Sequence, residues 1–345
     1  MPIGAARRFH LGQKKPMNPS ATRISTLILG SMLLSASPTQ VRAVELEDQI
    51  LRVGQYALPA KVPRGLKLEV LNVQMQRPRM LAFAPDGALW AGSSQAVFRL
   101  EKPYREATVI TTRSDYPHAV AFRGDEVFLA TNTALLKASH QTTPISDWQH
   151  VIDIPGGGGH SSRTVRVGPD GRVYVALGIS GNCSDEYLGA SYPTNKRRGG
   201  VMVLDESTSP PHWSTHASGL RNPVGFDWHP VSKVIYASNN GPDHSGFEVP
   251  REAFARLTSD SFHGMPWFQW LDGKVVRDEC ATSSPPRPAN EVTAPAATLP
   301  ARSAPMAVAF AGPSDLGGRF SGSAVIAVHG SWATAPSGGG SGDPA

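Results

Sequence analysis

Residues 156–178 read Gly156-Gly-Gly-Gly-His160-Ser-Ser-Arg163-Thr-Val-Arg-Val-Gly-Pro169-Asp170-Gly171-Arg-Val-Tyr-Val-Ala-Leu-Gly178. Valine and tyrosine dominate both sides of the Pro-Asp-Gly phrase, and such branched and aromatic side chains favour short strands on a pleated surface. Proline presets φ and glycine tolerates a positive φ, so the phrase itself predicts a tight turn. The stretch therefore predicts a β-hairpin that carries His160 at its open end, directly after a run of glycines.

The same strand-turn-strand pattern returns elsewhere in the chain, near residues 80–92, 119–130, 224–238 and, more loosely, 306–328. Recurrence at intervals of roughly forty to eighty residues predicts four-stranded blades repeated around one axis. A β-sandwich is the alternative, but it gives no reason for one pattern to recur. Pro250 to Ser259 is expected to form a short helix, because proline suits a helix start. We predict an all-β chain with the β-propeller fold.

The positive charge of the chain is concentrated at its start. The formal net charge is +5, yet residues 1–43 contain six basic residues and no acid, which leaves 27 basic against 28 acidic residues in the rest. A nearly neutral body offers no basic surface for a phosphate backbone. The sequence therefore predicts no nucleic-acid partner.

The basic start is followed by an apolar run over 24–36 and then by Val41-Arg42-Ala43. A positive segment, a short apolar segment and a small-residue end are typical of a secretory signal, and the run is too short for a stable membrane span. An uncleaved anchor or a disordered tail is the alternative. We expect a periplasmic or secreted protein with four parts: a signal peptide (1–43), a lead-in segment (44–64), the propeller (65–333) and a Gly/Ser-rich tail (334–345).

Cys183 and Cys280 are the two cysteines of the sequence. An exported protein can oxidise such a pair, so a disulfide is one interpretation and two free thiols the other. Sequence cannot report their separation, and both interpretations stay open. The sequence shows no CxxC motif or Cys/His cluster that would predict a zinc site.

Alignment of the hairpins predicts a shared rim, which we call the mouth of the axial channel. A hairpin returns to the face that it left, so the residues before each first strand and those after each second strand should surround one opening. The first set is Gln76, Asp115, His160, Arg221 and Ser303, and the second is Ser93, Asn132, Gly178, Asn239 and His329.

Three groups at the mouth could carry chemistry. His160 follows flexible glycines and could act as a general base near neutral pH, although a loop histidine can also be merely solvated. Arg221 beside Asn222 matches carboxylate or quinone-like oxygens, although a loop arginine can also bind backbone carbonyls. Residues 239–243 expose carbonyls that suit Ca²⁺, or form a bare turn. Lys196-Arg-Arg198 is expected to be a solvated cluster.

As an ordered set, four groups of residues resemble the soluble quinoprotein glucose/sorbosone dehydrogenase family, which uses pyrroloquinoline quinone (PQQ). The resemblance spans roughly residues 65–333. It implies a six-bladed propeller, with the last blade incomplete in this chain, and PQQ and Ca²⁺ at the mouth. The matching residues are His160-Ser-Ser-Arg163 with Val167-Gly-Pro-Asp-Gly171, Gly219-Leu-Arg-Asn-Pro223 with Trp228-His-Pro230, Asn240-Gly-Pro242, and Ala327-Val-His-Gly-Ser-Trp332.

The resemblance also implies residue roles. His160 falls on the catalytic base, which takes the hydroxyl proton of a sugar as hydride passes to the quinone. Arg221 falls on a cofactor-binding position and steadies the charge that develops on the quinone oxygen. The carbonyls of Gly241 and Pro242 fall on the calcium ligands. Further implied cofactor contacts are Asn222, His329, Gln76 and Arg79.

Two departures bear on the substrate. Gly178-Ile-Ser-Gly181 replaces the Gly-Asp-x-Gly pattern of glucose-oxidising relatives, and Gly159 stands where they carry an acid. Both favour the sorbosone/pyranose branch, so the expected substrate is an aldose or sugar aldehyde, with electrons passing to an external acceptor. The alternatives are a metal-dependent lactonase, for which Asp115 is the candidate carboxylate, and a non-catalytic propeller that binds a glycan or protein.

Overall fold

A computed structural model of the chain describes residues 44–71 and 74–330. The predicted signal peptide (1–43) and tail (334–345) lie outside the described residues, as do Ser331 and Trp332. Strands supply most of the regular structure, with short 3₁₀ turns at Thr194–Lys196, Ala289–Glu291 and Asp315–Gly318. No helix in the described ranges is long and apolar enough to cross a bilayer.

The strands follow one another along the whole described chain. In order they are β1 (Leu46–Val53), β2 (Tyr56–Pro63), β3 (Pro78–Phe83), β4 (Leu89–Ser93), β5 (Ala96–Leu100), β6 (Thr108–Thr112), β7 (Ala119–Arg123), β8 (Glu126–Ala130), β9 (Ala134–Ser139), β10 (Gln149–Asp153), β11 (Arg163–Val167), β12 (Val173–Leu177), β13 (Gly200–Asp205), β14 (His212–Ser218), β15 (Pro223–Trp228), β16 (Ile235–Asn239), β17 (Glu252–Leu257), β18 (Ser261–Phe262), β19 (Phe268–Leu271), β20 (Lys274–Arg277), β21 (Ala297–Leu299), β22 (Pro305–Phe310) and β23 (Ala324–Val328).

Four sheets of four or five strands form the blades. Blade 1 is β3-β4-β5-β6, blade 2 is β7-β8-β9-β10, blade 3 is β11-β12-β13-β14 with β18 added in parallel, and blade 4 is β15-β16-β17-β21. The first strands β3, β7, β11 and β15 lie side by side in that order, and β22 follows β15. The described residues thus hold four blades of a β-propeller and, next to blade 4, the hairpin β22-β23, which we call the fifth sheet; two further hairpins, β1-β2 and β19-β20, form separate two-stranded sheets. The recurring hairpins expected from the sequence are confirmed.

The core lies between neighbouring blades. Blades 2 and 3 pack against a neighbour on each face, so their central strands are buried, and all five residues of β12 are buried. Trp90 packs with Val120 and Leu129 between blades 1 and 2, while Phe128 packs with Val165 and Val175 between blades 2 and 3. Burial on two faces explains why these strands are continuous apolar runs.

Blades approach closely where their inner strands meet. A Cβ atom at Gly225, on β15, would lie 2.2 Å from the carbonyl oxygen of Met306 on β22. Only glycine lets these two backbones pack at this distance.

The helix expected over Pro250–Ser259 is wrong, because the segment contains strand β17. β17 pairs with β16 on one side and with β21 on the other. Its partners supply hydrogen bonds to both edges and a buried surface for Phe254 and Leu257. Tertiary pairing therefore overrides the local preference that proline gives to a helix start.

The predicted lead-in (44–64) contains the hairpin β1-β2, with a turn at Gly54 (φ 58°). The sequence did not predict this hairpin, because Pro59 and Pro63 interrupt the apolar pattern of β2. A two-stranded sheet consists only of edge strands, which tolerate proline.

One side of the axial channel is open. Leu81 and Phe83 on β3 are 53% and 65% exposed, and Val325 on β23 is 51% exposed. A cavity of about 700 Å³ is bounded by these strands and by the inner strands of blades 2 and 3. The apolar faces of blade 1 and of the fifth sheet therefore both border solvent.

Candidate functional site

His160 lies at the mouth, between the glycine run and strand β11. Its Nδ1 is 2.5 Å from the carbonyl oxygen of Ile179. A carbonyl can only accept, so Nδ1 donates and Nε2 carries the lone pair. Burial, assisted by the positive charge of Arg221, lowers the pKa of His160 to about 4. The imidazole is therefore neutral at neutral pH and presents a basic nitrogen.

Arg221 holds two loops of the mouth together. Its Nε donates to the carbonyl oxygen of Asn182 at 3.0 Å, its Nη2 to Oδ1 of Asn182 at 2.7 Å, and its Nη1 to the carbonyl oxygen of Asn240 at 3.3 Å. The side chain thus binds carbonyl oxygens, which is the role that the sequence offered as the alternative for a loop arginine. A guanidinium has five N–H groups, so these three bonds leave one N–H on each Nη for a ligand. Burial lowers the pKa of Arg221.

His160 and Arg221 are neighbours, bridged by a single residue. Ile179 accepts the His160 hydrogen bond with its carbonyl, and its N–H donates to the carbonyl oxygen of Arg221 at 2.9 Å. A Cβ at Gly178 would lie 2.8 Å from Oδ1 of Asn222 and 2.9 Å from Cβ of His160. The structure therefore brings His160, Arg221 and Asn222 together around a position that only glycine can occupy.

Two further contacts join the predicted sets along the rim. The N–H of Asn132 donates to the carbonyl oxygen of Asp115 at 2.9 Å, and the N–H of Gly330, the residue after His329, donates to the carbonyl oxygen of Ser303 at 2.9 Å. The loops before first strands thus meet the loops after second strands, which is the arrangement that the hairpin alignment predicts.

Three buried amide oxygens at the mouth have no hydrogen-bond partner among the described residues. They are Oδ1 of Asn132, Asn222 and Asn240. Leaving a buried acceptor unpaired is costly, so such groups usually have a ligand or water. Oxygen acceptors of this kind suit a hard cation or a donor group of a ligand.

The predicted calcium ligands lie in a loop held by groups that the sequence did not reveal. Oε2 of Glu252 accepts from the N–H of Gly241 at 2.5 Å, and Oε1 accepts from the N–H of Arg302 at 2.9 Å. Nη1 of Arg302 donates to the carbonyl oxygen of Pro242 at 2.5 Å. The guanidinium of Arg302 therefore occupies one lone pair of the Pro242 carbonyl oxygen. Burial raises the pKa of Glu252, although the two backbone donors and Arg302 oppose this.

The remaining predicted cofactor contacts lie apart from this group. Arg79 and His329 line the 700 Å³ cavity, whose lining includes neither His160 nor Arg221. The guanidinium of Arg79 lies over the ring of Tyr116, 5.5 Å from its centroid. Gln76 is exposed just before β3. The 700 Å³ cavity is thus the open side of the channel, whereas His160 and Arg221 lie at the mouth.

Arg163 fixes the backbone on both sides of the glycine run. Its side chain is fully buried, and its Nη1 donates to the carbonyl oxygens of His160 at 2.9 Å and Ser162 at 2.8 Å. Nη2 donates to the carbonyl oxygen of Pro155 at 2.7 Å. Burial and the nearby charge of Arg198 lower the pKa of Arg163 to about 9. One guanidinium therefore holds both ends of the segment that carries His160.

The prediction of a solvated cluster at Lys196–Arg198 is wrong for Arg198. Lys196 is exposed, but Arg198 is 1% exposed, and its Nη2 donates to the carbonyl oxygen of Gly156. Oε1 of Glu186 lies 3.7 Å from Nε of Arg198 and balances its charge. A run of three basic residues gives no signal that one of them turns inward.

Cys183 and Cys280 form a disulfide, with Cα atoms 5.7 Å apart. The structure therefore selects the bonded interpretation over two free thiols. The bridge joins the loop that contains Asn182, the partner of Arg221, to a segment after β20.

A fully buried imidazole, His118, and a half-buried one, His263, should make the protein sensitive to acid. Burial lowers the pKa of His118 to about 3 and that of His263 to about 4, from 6.5. Below pH 6.5 the unfolded chain protonates these groups while the folded chain does not, so unfolding takes up protons. As the pH is lowered below 6.5, we expect the free energy of unfolding to decrease by up to about 1.4 kcal/mol per pH unit for each imidazole.

Denaturant titrations between pH 6.5 and 4 measure this slope. Replacing His263 by glutamine should reduce the slope. Equal slopes in the variant and the wild type would contradict the prediction.

No protein-family model matches the sequence. Among curated proteins, the chain is 25% identical over 289 residues to an uncharacterised protein of Borreliella burgdorferi, a match that spans 79% of this chain and 72% of the relative.

Several solved structures are similar in fold. A calcium structure of a carbohydrate-active enzyme of family AA12 from Trichoderma reesei has a TM-score of 0.63 at 17% identity, over 75% of this chain and 74% of that one. The holo PQQ domain of pyranose dehydrogenase from Coprinopsis cinerea has a TM-score of 0.62 at 17% identity, over 78% and 75%. The apo soluble aldose sugar dehydrogenase of Escherichia coli has a TM-score of 0.53 at 15% identity, over 75% and 82%. At these identities the similarity is one of fold, and the four blades described above belong to a fold that this chain shares with these enzymes.

Proposed function

We propose that this protein is a PQQ- and Ca²⁺-dependent dehydrogenase that oxidises an aldose or sugar aldehyde of the sorbosone/pyranose type and passes electrons to an external acceptor. The observation that carries the proposal is the pairing of a neutral His160 with Arg221 at the mouth. The fold supports it, because the similar structures include a PQQ domain and an aldose sugar dehydrogenase.

The residues of the mouth fit both PQQ and Ca²⁺. The unpaired oxygens of Asn132, Asn222 and Asn240 are of the type that Ca²⁺ prefers, and the carbonyls of Gly241 and Pro242 would add to them. Arg221 has two N–H groups left for anionic or quinone oxygens. Asn222, which lies beside His160 and Arg221, would add a cofactor contact, whereas Gln76, Arg79 and His329 lie apart from this group and would contribute none.

The chain's own residues would handle the proton and the charge. Bound PQQ would supply the electron sink that accepts hydride from the sugar. Nε2 of His160 would take the sugar hydroxyl proton, while the carbonyl of Ile179 holds the ring in the required tautomer and stabilises the imidazolium that forms. The guanidinium of Arg221 places positive charge beside the reacting centre.

The disulfide fits an oxidising compartment, which supports a periplasmic or secreted location. The signal peptide at 1–43 remains a prediction, because these residues lie outside the described part of the chain.

The lactonase alternative is not favoured by the carboxylate at the mouth. Asp115 pairs with Arg113 through two contacts, at 2.7 Å and 2.9 Å. Burial raises the pKa of Asp115, but the hydrogen bond and charge of Arg113 outweigh burial and lower it overall. A carboxylate engaged by an arginine is poorly placed to ligate a catalytic metal.

Reconstitution tests the proposed function. Purified protein is incubated with PQQ and Ca²⁺, cofactor retention is measured by equilibrium dialysis, and dye reduction is followed with a panel of aldoses and sugar aldehydes. We expect one PQQ per chain, dependent on Ca²⁺, and turnover with at least one sugar. Retention of no quinone, or quinone bound without turnover of any sugar, would contradict the proposal and would leave a non-catalytic binding propeller as the better description.

A further inference from the structure

Two sulfur atoms and one imidazole nitrogen converge beside the mouth, although the sequence shows no Cys/His motif. Sγ of Cys183, Sγ of Cys280 and a ring nitrogen of His244 all lie within 4.8 Å of one another. Nδ1 of His244 is 3.4 Å from Sγ of Cys183. The tertiary fold alone creates this cluster, because its members are distant in sequence.

A buried carboxylate orients the imidazole toward the sulfurs. Asp278 is 4% exposed, and its Oδ1 lies 3.0 Å from Nε2 of His244. The same carboxylate accepts from the N–H of Cys280 at 2.9 Å and from Nε2 of Gln269 at 2.6 Å. A carboxylate accepts, so Nε2 of His244 donates to Asp278, and this bond turns Nδ1 toward Cys183.

Nδ1 of His244 faces Sγ of Cys183 at 3.4 Å. A metal ion bound by the two reduced sulfurs and this nitrogen would form three bonds to groups that already lie close together.

We propose that reduction of the Cys183–Cys280 disulfide creates a Cys₂His site for a soft divalent cation of the Zn²⁺ class, which we call the thiol site. Thiolate and imidazole are the preferred zinc ligands, and a carboxylate behind the histidine is the usual support for such a ligand. The side chain of His244 is 29% exposed, so water can reach the fourth position.

The geometry of the backbone is compatible with this ion. Two sulfurs at about 2.3 Å from a tetrahedral zinc lie roughly 3.8 Å apart. Cysteines whose Cα atoms are 5.7 Å apart can reach that separation by rotating their side chains. The loops therefore need not open for the bridge to be replaced by an ion.

The disulfide is converted to the metal site in two steps, and atoms and electrons balance in each. A small dithiol reductant gives two electrons and two protons to the bridge: the protein S–S bond breaks to two thiols, and the reductant closes to a cyclic disulfide. Zn²⁺ then binds both sulfurs and the imidazole, and the two thiol protons pass to solvent without any further change of oxidation state.

The thiol site is adjacent to Arg221. Asn182 precedes Cys183 and accepts two hydrogen bonds from Arg221, and the N–H of Asp243, which precedes His244, donates to Oδ1 of Asn182 at 3.3 Å. Replacing the disulfide by a bound metal ion therefore acts on the loop that orients Arg221. An effect on sugar oxidation rests on the proposed function, but metal binding does not.

Metal uptake by the full chain tests the thiol site directly. Protein is reduced with a dithiol, freed of reductant under nitrogen and titrated with Co²⁺ and Zn²⁺, while far-UV circular dichroism monitors the fold. We expect one ion per chain in the reduced form only, with a thiolate-to-cobalt charge-transfer band. Asp278→Asn should weaken the affinity about 10- to 100-fold. Cys183→Ser/Cys280→Ser and His244→Ala should each abolish stoichiometric uptake.

His150→Ala is the matched control, because His150 also pairs with an aspartate, Asp153 at 2.8 Å, on the surface of blade 2. Its uptake should equal that of the wild type. Absence of the cobalt band in the reduced protein, uptake that survives His244→Ala, or unfolding of the reduced chain before it binds the ion would each overturn the proposal.

Discussion

Replacing His160 by alanine should lower kcat/KM for the sugar by about 10²–10⁴-fold in protein loaded with PQQ and Ca²⁺. The imidazole is the neutral base at the mouth, with its lone pair fixed on Nε2 by the bond from Nδ1 to Ile179. Its pKa of about 4 also means that the acid limb of kcat/KM should fall near that value, well below the 6.5 of an ordinary imidazole. Dye-linked steady-state assays across this pH range measure both effects.

The control separates catalysis from folding. His150→Ala removes a surface imidazole of blade 2 and should leave kcat/KM and its pH profile unchanged. Thermal melting of both variants verifies that the propeller is intact. An His160→Ala protein that retains PQQ and oxidises sugar at the wild-type rate would refute the role of His160 as general base.

Replacing Arg163 by methionine should lower the free energy of unfolding by about 3 kcal/mol, since loss of the donor to a partly buried carbonyl costs about 1–3 kcal/mol for each group. The variant deprives the carbonyls of Pro155, His160 and Ser162 of their donors. Relief from burying a charge offsets part of this cost. The backbone that carries His160 loses the group that holds both of its ends, so sugar oxidation should fall as well. Denaturant titration at neutral pH measures the stability change.

Arg172→Met is the matched control on the same hairpin. Arg172 lies in the exposed turn between β11 and β12. Its replacement should change the free energy of unfolding by less than about 0.5 kcal/mol. Equal stability of the two variants would show that the buried hydrogen bonds of Arg163 contribute little.

Several features of the fold follow from local sequence. The turn at Pro169–Gly171 and the apolar runs beside it specify β11 and β12 within a few residues, because turn chemistry and strand preference act over short distances. Repetition of that pattern then implies blades around an axis, since a single hairpin cannot bury its own faces. The same reasoning placed His160 and Arg221 on one rim, where the structure has them as neighbours.

Other features lie beyond local sequence. Pro250 suggested a helix, yet β16 and β21 made the segment a strand. Arg198 lies within a basic run, yet it turns inward to the carbonyl of Gly156 and to Glu186. Neither outcome depends on neighbours in sequence, so composition and periodicity could not supply them.

The sequence by itself determined the repeated hairpins and the residue types at the mouth, because these depend on turns, strand preference and the two-residue period of a strand. Tertiary structure alone decided which polar groups meet. Cys183 and Cys280 are 97 residues apart, and the blades bring them to His244 and Asp278. Arg302 reaches the carbonyl of Pro242 across 60 residues. Such contacts depend on how blades pack in space, and that packing is a property of the whole ring of sheets.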